Sequence, residues 1–227
     1  IEMDLIKTNN KKDNFSYVKI DGIWTREGTY DARIIKEIKA TYSWMDVEGK
    51  VVMDVGGCFG AFSVWASRQK ASSIIAYEPA TQNYEVLLKN SLEFPNILPI
   101  NKALIDGFTD SIDFYLPKNR NNMGCASAFV KGGREKITVN SINFLQELHK
   151  YKPSVLKIDC EGGEYDILRI PLPNFVKQVT VEIHLTKKEW RNYKSTKLLK
   201  LFQGWKVHKE PVIGEKNWHT IGAWYRD

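Results

Sequence analysis

"VVMDVGGCFGAF", Val51 to Phe62, decides the fold: four apolar residues surround one carboxylate, and glycines follow at 56, 57 and 60. A short apolar run closed by glycines reads as a buried strand entering a tight turn, where backbone comes close to a ligand. Working outward, strands are expected at Val51–Val55, Ser73–Tyr77, Ile97–Ala103, Ser111–Tyr115, Val155–Ile158 and Gln178–Ile183. Helices are expected between them at Phe62–Ser67, Gln82–Leu92, around Ser141–Leu148 and at Glu164–Ile167. This alternation predicts an α/β fold with a mostly parallel sheet and helices on both faces. Upstream, "YVKIDGIW" predicts a short strand and turn, and Ile34, Ile35, Ile38 and Tyr42 recur at helical spacing. Downstream, "GWKVHKEPVIG" and "WHTIGAWYRD" predict two strands joined by a turn, an antiparallel edge on the sheet. The stretch Pro117 to Lys136 reads as a long loop near a site.

A chain of 227 residues, 43% hydrophobic, supports one sizeable core and hence one globular domain. The net charge of +6 is spread over scattered lysines, which a solvated surface explains as well as a nucleic-acid partner does. The three cysteines, at 58, 125 and 160, form no C-x-x-C pair, so neither a zinc knuckle nor a disulfide framework is indicated, and a reduced, cytoplasmic protein is expected. No apolar run approaches the roughly 18 residues of a membrane span, and the first residues are too polar for a signal peptide. The chain opens on Ile1 rather than methionine, consistent with a trimmed chain or a domain of a longer polypeptide.

A dinucleotide turn would read G-x-G-x-x-G and aim a helix N-terminus at a pyrophosphate. Here Asp54, Gly56 and Gly60 make D-x-G-x-x-x-G instead. A carboxylate at the strand end repels phosphate and suits a positively charged ligand without one, which S-adenosylmethionine is. Glu78, 24 residues after Asp54, ends the next strand, where an acid can accept hydrogen bonds from both ribose hydroxyls. The plainer readings are a tight turn for the glycines and a surface acid at a helix start for Glu78.

The segments "VVMDVGGCFGAFSVWAS", "AYEPATQNYEVLLKN", "NKALID", "LKIDCEGGEYDIL" and "VTVEIH" together resemble the successive signatures of the FkbM-type S-adenosylmethionine-dependent methyltransferases. The resemblance runs from about Val51 to His184. It implies a Rossmann-like class I methyltransferase sheet and O-methylation of sugar hydroxyls in glycans or natural products. It also implies that Asp54, Gly56 and Gly60 surround the methionine part of the cofactor, that Glu78 holds the ribose, and that Asn101, Lys102 and Ala103 lie near the adenine. Gly57, Cys58, Pro79 and Asp159 are further expected cofactor contacts. Two departures stand out: Gly57-Cys58 replaces the usual Ala-Asn, and "VNSINFL" lacks the usual aspartate, leaving Ser141 as the expected helix N-cap.

Methyl transfer to an alcohol needs the hydroxyl in line with the methyl group and a group to take its proton. By two-residue alternation Lys157 and Asp159 share one side of their strand, and Glu182 and His184 share one side of theirs. Asp159 or His184 is the expected base, with Glu182, Lys157 and Glu161 completing the site. Alternatively Asp159, Glu182 and His184 hold a magnesium or manganese ion that acidifies the hydroxyl. Glu164 reads as an acid at a helix N-terminus. Residues 1–50 are expected to contribute to the acceptor site, with Trp24, Arg26, Tyr30, Asn121, Asn122, Met123, Trp218 and His219 as candidates, and residues 51–227 to form the cofactor-binding catalytic domain. The expected partner is a sugar or glycan, a deoxyhexose such as rhamnose for example, with a glycosyltransferase fused to the chain or acting beside it. The competing readings are RNA ribose 2′-O-methylation and a non-catalytic cofactor-binding domain.

Overall fold

The computed structural model describes residues 15–128, 134–169, 171–184, 198–211 and 219–227. A hairpin of β1 (Tyr17–Ile20) and β2 (Ile23–Arg26) leads into helix α1 (Asp31–Tyr42). The alternating part follows: β3 (Val51–Val55), α2 (Ala61–Arg68), β4 (Ser73–Tyr77), α3 (Thr81–Ser91) and β5 (Ile97–Ile100). Then come β6 (Ala103–Ile105), β7 (Ser111–Leu116), β8 (Glu135–Asn143), α4 (Phe144–Tyr151), β9 (Val155–Ile158), α5 (Glu164–Ile167) and β10 (Gln178–His184). The chain closes on β11 (Lys206–Lys209) and β12 (His219–Tyr225).

The main sheet has seven strands in the order β11-β12-β10-β9-β3-β4-β5. Strands β10, β9, β3, β4 and β5 run parallel, while β12 pairs antiparallel with β10 and with β11. This is the α/β sheet expected from the alternation, with the two expected C-terminal strands forming its antiparallel edge. Alternation along β3 and β4 splits their side chains between two cores. Val52, Ile74 and Ala76 pack with Phe62, Val64 and Leu87 of α2 and α3. Met53, Val55, Ile75 and Tyr77 pack on the opposite face with Phe144, Leu148 and Ile167 of α4 and α5. Ile23, Tyr42, Met45 and Val47 join the first of these cores, so the N-terminal segment is built onto the α2–α3 face.

Two expected elements come out differently. The strand expected at Ile97–Ala103 breaks after Ile100, because the Asn101 side-chain amide donates to the carbonyls of Glu78 and Pro79 and turns the chain out of the sheet. Residues 103–105 join a separate sheet of order β6-β8-β7. The helix expected around Ser141 begins at Phe144: burial alternates through Val139, Ser141 and Asn143 of β8, and the Asn143 side chain caps by accepting from Gln146 N at 2.9 Å. Ser141 is a strand residue, its hydroxyl bonded to the Thr109 carbonyl. The expected loop after Pro117 contains a 3-10 helix, Arg120–Cys125.

Candidate active site

Strand order reverses between β3 and its neighbour β9, and open α/β sheets bind ligands beyond the carboxyl ends of the strands at such a point. A cavity of about 940 Å³ opens there, lined at its base by Val55, Gly56, Glu78, Lys157, Asp159 and Glu182. Helix α1 supplies one wall through Arg33, Ile34, Glu37, Ile38, Thr41 and Tyr42, and the small sheet supplies another through Ala103, Ile105, Ile112 and Phe114. Of the expected site residues, Gly57, Cys58, Pro79, Lys102 and Glu161 also line it, as do Tyr30, Asn122 and His219. Asp54, Gly60, Asn101 and His184 stand behind the lining.

The glycines answer to the protein's own packing. A Cβ on Gly56, whose φ is +79°, would lie 1.7 Å from the carbonyl oxygen of Asp159, so the β3 and β9 ends could not meet with any other residue there. On Gly60, at φ +93°, it would lie 2.8 Å from Leu87 as helix α2 begins.

Asp54 does not offer its charge to the cavity. It is fully buried, accepts from the Ser63 hydroxyl at 2.7 Å, and sits 3.1 Å from Lys157 Nζ, directly across in the β3–β9 register. Asp54, expected beside a cationic ligand, thus has Lys157 as its counter-ion within the protein. Burial works against a charged Lys157, but Asp54 and then Asp159, 3.8 Å away, outweigh it and hold the ammonium well above its ordinary range. Lys157 also donates to the Gly56 carbonyl at 2.6 Å.

Glu78 is buried at the cavity edge rather than exposed at a helix start. Its Oε2 accepts from Cys58 N at 2.8 Å, and its Oε1 from Ala80 N at 2.9 Å and Asn83 Nδ2 at 3.3 Å. Burial pushes its pKa up to about 7, against the pull of those donors and of Lys157. Oε2 keeps acceptor capacity, as a carboxylate oxygen takes two donors. A ribose hydroxyl fits that capacity, and the apolar Ile105, Ile112 and Phe114 beyond it fit an adenine ring.

The ends of β9 and β10 carry a denser cluster. His184 Nδ1 lies 3.0 Å from Glu164 Oε1, and its Nε2 lies 3.4 Å from Glu161 and 3.7 Å from Glu182. Burial works against a charge on His184, but hydrogen bonds to Glu161 and Glu164 hold it well above the usual imidazole range. A protonated imidazole cannot take a proton, which argues against the expected role of His184 as base. Glu182 is pushed up to about 8, first by burial and then by Asp159. His219, directly opposite His184 in the β10–β12 pairing, brings Nδ1 to 3.4 Å from Glu182.

Glu164, fully buried and bonded to both the backbone N and the ring of His184, is more than a helix-terminal acid. Arg26 is no acceptor contact: it is buried, gripped by Asp31 and bonded to Asn83. Trp24 turns away toward Asn90 and Glu93, Asn121 accepts from Tyr30 N, and Met123 is buried. Trp218 lies outside the described residues. Asp31, Asn83 and the α1 wall escaped the sequence reading; the one available signal was Asn83 in the first turn after Glu78.

A family model described as a methyltransferase FkbM domain matches residues 54–205. The chain belongs to the FkbM methyltransferase family. It is accordingly an S-adenosylmethionine-dependent methyltransferase. A crystal structure of the FkbM methyltransferase of Methylobacillus flagellatus KT is similar at TM-score 0.51 and 13% identity, covering 83% of this chain and 48% of that one. This chain thus spans about half the length of that protein. The precorrin-6y C5,15-methyltransferase of Geobacter metallireducens GS-15 aligns at TM-score 0.50 and 13% identity over 92% of this chain and 97% of that one. These likenesses establish the class I methyltransferase fold. A search of curated protein sequences finds no match. Among the described residues no helix is long and apolar enough to cross a membrane.

Proposed function

We propose that this FkbM methyltransferase acts on a sugar hydroxyl of a glycan or glycoside, with deoxyhexosides such as rhamnosides as the first acceptors to try. The observation that carries the reading is Glu182: a carboxyl group that lines the cavity and titrates near 8 is suited to take the proton an alcohol loses on methylation. S-adenosylmethionine supplies the electrophilic methyl group. Asp159, beside Glu182 at the strand ends, places a carboxyl group where a hydroxyl and a sulfonium would meet, and Glu78 accepts from the ribose. Tyr30, Tyr42 and Asn122 offer ring faces and an amide suited to a sugar.

Against RNA, the cations of the cavity lining are few and two of them are already engaged by acids, Arg33 by Glu37 and Lys157 by Asp54 and Asp159, so a phosphodiester finds little positive charge there. Free thiols at Cys58 and Cys160 suit a reduced, cytoplasmic setting, and a glycosyltransferase is the natural source of the acceptor. The test is transfer of labelled methyl from S-adenosylmethionine to a panel of glycosides and RNAs at low and high salt. Salt-insensitive labelling of a glycoside supports the reading; labelling confined to RNA overturns it. A protein that binds cofactor but labels no acceptor class would favour the non-catalytic alternative.

A divalent cation is the second reading, favoured by one observation: Glu182, His184 and His219 bring one ligand atom each to within 4.8 Å of one another, as do Asp159, Glu161 and His184. Glu164 on the far nitrogen of His184 is the outer carboxylate that ligating imidazoles commonly have. An ion held there would lower the pKa of the acceptor hydroxyl. The His-rich set suits manganese or zinc better than magnesium.

A further inference from the structure

We propose that Arg26 and Asn83 are positioning residues for the cofactor, acting in series to hold the Glu78 carboxylate in the orientation that accepts a ribose hydroxyl. This rests on the reading of Glu78 as the ribose acceptor. Asn83 can bond either way round, and its surroundings choose. Arg26 Nη1 donates to Asn83 Oδ1 at 2.7 Å, and a guanidinium has nothing but donors, so it selects the oxygen. The Asn83 amide nitrogen is then committed to two acceptors, Glu78 Oε1 at 3.3 Å and the Met123 carbonyl at 3.2 Å. Arg26 is fixed in turn by a two-pronged pair with Asp31, Nε to Oδ2 and Nη2 to Oδ1, each at 2.9 Å.

Arg26, Asp31 and Asn83 are each 2% exposed. A buried ion pair is poor evidence for stability, since well-packed apolar residues of the same volume often do as well. What an apolar pair cannot supply is the donor that orients Asn83. Arg26 also comes from the β1–β2 hairpin, outside the parallel sheet, so the relay ties the N-terminal segment to the cofactor corner.

The experiment is calorimetric titration with S-adenosylhomocysteine and its 2′-deoxy analogue from pH 5.5 to 8.5. The proteins are wild type, Asn83→Ala, Arg26→Lys and Glu78→Gln. The groups facing Glu78 or Asn83 are Cys58 from the β3–α2 turn, Lys157 from β9, and Arg26 and Asp31 from the N-terminal segment. Loss of the Asn83 donor removes a bond to the ionised form of Glu78. The pH at which binding strengthens should therefore move upward, and affinity at pH 7 should fall about tenfold, the weight of one hydrogen bond to a charged group. With the 2′-deoxy analogue the difference should shrink. Arg26→Lys, which keeps the charge but loses the fork, should shift the same way by less, and serves if Asn83→Ala does not fold.

Unchanged binding in Asn83→Ala or Arg26→Lys would overturn the relay. So would an equal loss for both ligands with no movement of the pH curve, which would mean a merely structural role. Wild-type affinity in Glu78→Gln would instead overturn the ribose reading beneath it.

Discussion

The two halves of the cavity floor both carry acids at strand ends, yet they treat charge in opposite ways. At β3 and β4, Asp54 and Glu78 are buried and supplied with partners: a hydroxyl and an ammonium for one, two backbone amides and a carboxamide for the other. At β9 and β10, Asp159, Glu161 and Glu182 stand partly open to the cavity around His184, whose far side already serves Glu164. Lys157 joins the two halves, 3.1 Å from Asp54 and 3.8 Å from Asp159. Acids held by partners in this way make a rigid frame that needs no rearrangement when ligand arrives. A set with surplus negative charge attracts a cation and raises the proton affinity of its members, which is what a reaction with an alcohol requires.

The largest effect should come from removing the joint. Lys157→Met leaves the Asp54 carboxylate buried with Ser63 as its remaining side-chain partner, and breaking a buried pair from one side typically costs about 3–5 kcal/mol. Urea denaturation should show that loss, and the double variant Asp54→Asn, Lys157→Met should recover most of it. Equal stability of Lys157→Met and wild type would show that Asp54 needs no counter-ion, removing the contrast between the halves.

Next in size is Glu182→Gln. The rate of methyl transfer should fall about 10²–10⁴-fold, the usual weight of a general base, while S-adenosylhomocysteine affinity stays within about threefold of wild type. Because Glu182 takes a proton only when ionised, the wild-type rate should climb as pH rises through about 8, and the variant should lose that limb. A variant that keeps it assigns the base elsewhere, with Asp159 the next to test.

The sequence carried the parallel sheet well, because the strands Val51–Val55, Ser73–Tyr77 and Val155–Ile158 are apolar on both faces and bounded by turn residues. It also brought Lys157, Asp159, Glu182 and His184 together, since side-chain alternation and parallel pairing suffice to bring adjacent strand ends together. What it could not give was the use of each charge. Asp54 looks like a ligand group until Lys157, 103 positions away in sequence, is seen directly across the sheet. Arg26 looks like an acceptor contact until Asp31 and Asn83 enclose it, and the break after Ile100 depends on an Asn101 bond to the neighbouring strand end. Each is a long-range pairing of polar groups, and local periodicity contains no information about it.

Glu78→Gln tests the partnered half from two directions. Losing the charge should weaken S-adenosylhomocysteine binding about 10–100-fold, since bonds between ribose hydroxyls and a carboxylate are charge-assisted. Stability should move the other way. Burial raises the pKa of Glu78 from 4.5 in the unfolded chain to about 7, so the stability it contributes is full below pH 4.5 and is lost as pH rises through 7. At pH 8.5 that loss amounts to about 3 kcal/mol. The neutral glutamine does not titrate, so the melting temperature of Glu78→Gln relative to wild type should rise between pH 5 and pH 8.5. A constant difference across that range would mean that Glu78 is as well solvated as an open carboxylate, and the two halves would no longer differ in kind.

His219→Ala should have the smallest effect and decides between the two readings of the open half. Its side chain is 57% exposed and touches Glu182 at 3.4 Å, so as a bystander to a carboxylate base it matters little. The rate should change by less than about threefold, and a chelator should leave wild type and variant alike. If the cluster instead works by holding an ion, His219 is one of its ligands. The variant would then lose activity by more than tenfold, wild type would lose it with chelator, and cobalt added to the stripped protein would give a ligand-field spectrum that the variant lacks. The surplus of carboxylates at β9 and β10 would in that case be the site of a resident cation, and the pH dependence assigned to Glu182 would belong to the ion's bound acceptor.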